Sequence, residues 1–239
     1  MSQPSPSFSV SSRRVSFWLV LGIAAMTLSN IVAELFVHFS GRPKSSLLIR
    51  FATKFTLDSE HSVPAFFSVL LLLTCALLLG LMARWLARSG GRYASQWGLL
   101  ALIFLYISVD EDMTLHELLI QPVRAKLHLT GFLHYSWVAP AGILLVILAL
   151  FYWRFWRALP TRSRWLIFLA GALYVGGAFG LEMVGGKLAE VYGTPSLIYH
   201  VVCSVEELAE MVGLTVFIYA LIEHIRTQLA PAFGVTITA

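Results

Sequence analysis

Four side chains on one stretch of the chain, His200, Cys203, Glu207 and Glu210, fall at i, i+3, i+7 and i+10. At 3.6 residues per turn this spacing lays an imidazole, a thiol and two carboxylates along one stripe of a helix. Two further stretches have the same character. Glu34 and His38 are i, i+4, one turn after Asn30. On a continuous helix Asp110, Thr114 and Glu117 would share one face, and Asp112 and His116 nearly the opposite one. Such a helix is polar on two sides, which predicts a central position for it.

Carboxylate with imidazole is a donor set for Zn²⁺, Mn²⁺ or iron. Clustered carboxylates repel, so at neutral pH they share protons, pair with cations or bind metal. The metal-ligand candidates are Glu34, Asp110, His116, Glu117, Glu182, His200, Glu207 and Glu210. If the site were hydrolytic, Glu117 or Glu207 would serve as general base. No established metal signature accompanies them. There is no H-E-x-x-H, no Glu-x-x-His pair of the di-iron type, and His128 and His134 stand six apart rather than four. Three readings stay open: a divalent-cation site, a proton or ion relay, and a network of hydrogen bonds and ion pairs with Arg50, Arg124 and Lys187.

The elements that hold these groups follow from composition. Of 239 residues 58% are hydrophobic and 13% charged, with a mean hydropathy of +0.77. Soluble domains carry about 25% charged and 45–50% apolar residues. A soluble enzyme, a disordered chain and a disulfide scaffold are therefore excluded. Cys75 and Cys203 each lie in an apolar run and form no C-x-x-C. Six apolar stretches, at about 16–39, 63–86, 96–120, 135–157, 164–186 and 197–225, reach the roughly 20 residues needed to cross a bilayer. The fold class is all-α: a polytopic membrane helix bundle of six transmembrane helices over 15–226, with cytoplasmic tails at 1–14 (Ser/Pro-rich, read as disordered) and 227–239.

Lys and Arg orient the bundle. Ten lie in the short segments on the side of the N-terminus and seven on the other, four of those in the long first loop. This density predicts both termini inside, with the inner (cytoplasmic) membrane as the expected location. The net charge of +4 then reports loops facing anionic lipid, and no nucleic-acid partner is implied. With this topology all but one of the 13 acids fall in the outer half, Glu223 being the exception, and six of the seven histidines join them. Ionisable groups inside spans usually face a bundle interior or a wet cavity. Helix rise places Asp110 about 10 Å below the outer boundary. Glu34, Asp110 and Glu210 are read as cavity-facing, whereas either a solvated or a cavity-facing position fits Glu117, Glu190 and Glu206.

Several features are structural. Leu47, Leu48, Phe51 and Phe55 share a face, predicting a short interfacial helix in the first outer loop. Residues 122–134 fit either an interfacial segment or an ordinary loop. Gly176 and Gly180 form a G-x-x-x-G pair, Gly185-Gly186 is expected to end its helix, and Thr194-Pro195 to open the last one.

Four blocks in this order, LDSEHSVPAFFSV (57–69), SVDEDMTLHEL (108–118), YVGGAFGLEMVGG (174–186) and VEELAEMVGLTVFIYA (205–220), resemble a group of uncharacterised bacterial six-span integral membrane proteins. The resemblance covers most of 15–225. It implies the same fold and draws attention to Asp58, Glu60, Asp110, Glu111, His116, Glu117, Glu182, Glu206, Glu207 and Glu210, but it implies no reaction. The functional expectation is a cation-binding carboxylate/His cluster on the outer side. The alternatives are a membrane-embedded metal hydrolase acting on a lipid, and a non-catalytic subunit docking a membrane or periplasmic partner.

Overall fold

The computed structural model describes residues 9–229 and 236–238. Among these residues nine α-helices follow one another: α1 (Ser12–Phe39), α2 (Leu47–Ala52), α3 (Val63–Arg88), α4 (Ala94–Met113), α5 (Ile120–Leu127), α6 (Val138–Ala158), α7 (Thr161–Val175), α8 (Glu182–Tyr192) and α9 (Leu197–His224). A π-helical turn, Gly176–Leu181, joins α7 to α8 without a break. Four segments are long and apolar enough to cross a membrane: α1, α3, α6 and the α7–α8 rod. Helices α4 and α9 are of comparable length but carry most of the acids.

Large apolar side chains face outward along these helices. Leu102 is 64% exposed and Leu150 73%, whereas Leu72, Leu79 and Met82 on α3 are fully buried. Apolar surface of this extent is compatible with a lipid environment. The helix starts have local causes. Ser62 Oγ accepts from Ala65 N at 3.1 Å and Pro64 occupies the first turn of α3, satisfying an N–H that has no helical partner.

The expected central helix is α4, but the one at the centre is α9. Only Trp97 and Ser108 of α4 are buried, against twelve residues of α9. The inner half of α9, from Met211 to His224, is apolar nearly all round, and a helix of that kind must be enclosed. It packs on α1, α3, α7 and α8. Close approach to α7 depends on two glycines. A Cβ on Gly213 would lie 2.7 Å from Tyr174 N, and one on Gly177 would lie 2.9 Å from the Glu206 carbonyl oxygen and Glu210 Cγ. Gly176 and Gly180 meet nothing within 4 Å, so the contact glycine is the neighbour of the expected pair.

Three boundaries depart from expectation. Gly185 and Gly186 are buried inside α8, against Cys203 and Tyr199 and against His134 and Tyr135. The helix runs on because these close contacts need the missing side chains. The last helix opens at Leu197 after Ser196, two residues beyond Thr194-Pro195. Of the tails, 1–8, 230–235 and 239 lie outside the described residues. Ser9–Ser11 pairs in parallel with Thr236–Thr238, and α1 already begins at Ser12 with Ser11 as its cap. The two ends of the chain therefore meet at one end of the bundle. Residues 47–55 form α2 and a 3-10 turn, with Leu47, Leu48 and Phe51 exposed.

Candidate functional site

The acidic end of the bundle is organised around Asn30 of α1. Its amide donates to Ser204 Oγ of α9 at 3.1 Å, and its carbonyl oxygen accepts from Leu57 N at 2.8 Å. One buried amide thus ties the first long loop to two helices. The residue after Leu57 is Asp58, and one turn along α1 from Asn30 is Glu34. Asp58 Oδ2 is hydrogen-bonded to His200 Nδ1. One ligand atom from each of Glu34, Asp58 and His200 lies within 4.8 Å of the other two. Two carboxylates and an imidazole at this separation are the right donors, at the right distance, for a divalent cation. The trio opens into a cleft of about 370 Å³ whose walls include His38, Lys44 and Arg50.

Asp58 also borders a second cavity, of about 210 Å³, enclosed by α4, α8, α9 and the loops above them. Nine carboxyl groups line it, with no lysine or arginine. From α9 come Glu206, Glu207 and Glu210, from α8 Glu182, and from α4 Asp110 and Glu111. Asp58, Glu60 and Glu117 come from loops and turns. Tyr135, Trp137, Tyr174 and Tyr199 supply aromatic wall. Glu206 is 8% exposed, and its carboxyl is within hydrogen-bonding reach of Glu182. Trp137 Nε1 donates to Glu182 Oε1 at 3.0 Å, and the Tyr135 and Tyr199 hydroxyls are 2.8 Å apart.

The π turn explains how Glu182 reaches this wall. Eight residues of regular helix, at about 100° each, would leave it about 80° off the line of Tyr174. A wider turn removes that excess, and Tyr174, Ala178 and Glu182 all line the cavity. Below Glu210 the bundle closes on Met211, Leu214 and Ile218 and on the stacked Phe104–Phe217 pair at 4.9 Å. The cavity is a blind pocket with a dry floor.

The sequence-derived ligands therefore separate into two groups. Glu34 and His200 join Asp58 at the cleft, while Asp110, His116, Glu117, Glu182, Glu207 and Glu210 border the cavity. The α4 stripe does not exist as expected, because Thr114 takes a left-handed conformation (φ 47°) and ends the helix. The chain folds back so that His116 N donates to Asp110 Oδ1 at 2.9 Å while its Nδ1 lies 2.7 Å from Oδ2. Asp110 and His116, assigned to opposite faces, are thus direct partners, and Glu117 moves to the exposed rim beside Glu60. On α9, His200 turns toward Asp58 whereas Cys203, Glu207 and Glu210 face the cavity.

Sequence spacing missed Asp58 as a candidate ligand and left Glu206 open to solvation. The one signal for Asp58 was its place in the LDSEHSVP block; nothing in periodicity reaches a loop. Of the three expected ion-pair partners, Arg124 is engaged with a backbone carbonyl, that of His134. Glu190 accepts from Gly131 N. Burial and the Arg124 charge hold the loop residue His134 below the usual imidazole range.

Fold and site together define an almost wholly helical protein with four helical segments long and apolar enough to cross a membrane and a carboxylate/His cluster at one end. The chain belongs to the family described as Domain of unknown function (DUF8692), whose model matches residues 15–225. No curated protein and no solved structure matches it.

Proposed function

We propose that this protein is a six-span bacterial inner-membrane protein that binds a divalent cation at Glu34, Asp58 and His200 on its outer face. The convergence of those three side chains carries the reading. Pairing of Ser9–Ser11 with Thr236–Thr238 supports an even number of crossings with both termini on one side. The excess of Lys and Arg at that end supports a cytoplasmic location for it. The exposed apolar face of α2 supports a place in the outer interface. The donor set of two oxygens and one nitrogen suits Zn²⁺, Mn²⁺ or Fe²⁺.

A relay across the bundle fits less well, because a proton or ion would have to pass the apolar floor beneath Glu210. The hydrolase reading asks for a general base within hydrogen-bond reach of a metal-bound water. Glu117 stands at the rim beside Glu60 instead.

Elemental analysis of the purified chain before and after chelation tests the proposal, together with melting curves on adding back Zn²⁺, Mn²⁺ or Fe²⁺. One cation per chain and a stabilising shift are expected, both lost in His200→Ala. No bound cation and no shift with any of the three would overturn it.

A further inference from the structure

The cavity beside this cluster is larger than a metal ion needs. One water requires about 10–15 Å³ on this measure of volume, so 210 Å³ accommodates an organic molecule. Its wall combines carboxylates with aromatic side chains, the two groups that recognise ammonium ions. Four of the nine carboxyls form two separate pairs. Glu60 and Glu117 are exposed at the rim and within hydrogen-bonding reach of each other. Glu182 and Glu206 form a similar pair deep in the pocket.

Glu207 supplies a second, independent observation. It lies deep among the helices with its carboxyl accessible only in part, lines the cavity, and receives no hydrogen bond from any donor among the described residues. A buried carboxyl without a donor is costly to keep, unless what enters the cavity supplies the donor. A single metal ion at the deep pair would leave the rim pair uncompensated. A cation charged at both ends would meet both.

We infer that the cavity binds a small linear organic diammonium or polyammonium ion. One ammonium group sits among Glu182, Glu206 and Glu207, the other between Glu60 and Glu117, with the alkyl stem along the aromatic wall. This goes beyond the cation site at Glu34, Asp58 and His200, with which it shares only Asp58 as a neighbour.

Equilibrium binding of diaminobutane, n-butylamine and Mn²⁺ to the detergent-purified full chain tests it. Diaminobutane should bind about ten-fold more tightly than n-butylamine, which lacks the second charge-assisted contact. Glu117→Gln, a rim change whose melting curve checks folding, should bring the diamine to the level of the monoamine and leave Mn²⁺ binding intact. His200→Ala should remove Mn²⁺ and retain the diamine. Equal affinities for the two amines would overturn the inference, as would loss of the diamine with His200→Ala. Diamine binding without any Mn²⁺ binding would overturn the cation site and leave this inference standing.

Discussion

Helix α9 carries a glutamate at each end of the bundle, and the two ends treat it oppositely. At the basic end Glu223 is 3% exposed and held by Arg226, whose Nε and NH2 donate at 3.1 and 2.9 Å, with Arg162 3.4 Å away. Beside it His224 lies 3.0 Å from Ser163 Oγ and stacks near Trp97. Glu223 there is met by two arginines, which leaves its carboxylate nothing for a ligand to satisfy. At the acidic end Glu206, Glu207 and Glu210 face one another, Glu182 and Glu111 around a cavity without lysine or arginine. Residue type and helix are the same, and only the neighbours differ. A paired buried glutamate is a structural tie, whereas an unpaired group of them is a binding wall.

The largest effect should come from removing a ligand of the trio. His200→Ala removes a direct ligand and is expected to weaken Mn²⁺ binding by at least about 100-fold, the most that loss of a residue merely supporting a ligand costs, measured by competition with a chelator. The α7–α9 crossing comes next. Gly213→Leu forces side-chain atoms onto the backbone at Tyr174 and should cost about 1–3 kcal/mol, as overpacking does, read as a lower denaturation midpoint.

The comparison of the two ends is tested directly by a pair of changes. Glu223→Ala should lower the melting temperature by several degrees, because it strips Arg226 and Arg162 of their partner. Glu207→Gln should leave that temperature unchanged or raise it, because it relieves repulsion and breaks no hydrogen bond. The reverse order would erase the distinction drawn here. The smallest effect is expected at Lys44, which lines the cleft beside the trio. Lys44→Gln should tighten Mn²⁺ binding about two- to three-fold, and high salt should shrink the difference by screening the lysine.

Apolar runs separated by basic loops made the six long helical segments legible, since length and composition alone decide whether a segment can cross lipid. The gathering of acids at one end was legible for the same reason. Their division into two sites was not. It depends on Asn30 holding Leu57 and Ser204, which draws Asp58 across to Glu34 and His200, and no periodicity encodes a contact from a helix to a loop. The pairing of Asp110 with His116 was hidden as well, because it requires a left-handed Thr114 that a helical wheel cannot anticipate.

By itself, then, the sequence determined the apolar character and the positions of the long helices and the end where the acids gather. These are properties of single segments and follow from hydropathy and period. The tertiary structure decided which helix is central, which acids face one another and which meet a cation. Those depend on where the glycines of α7 and α9 let backbones approach and on where one buried amide pins a loop, and both are relations between residues far apart in the chain.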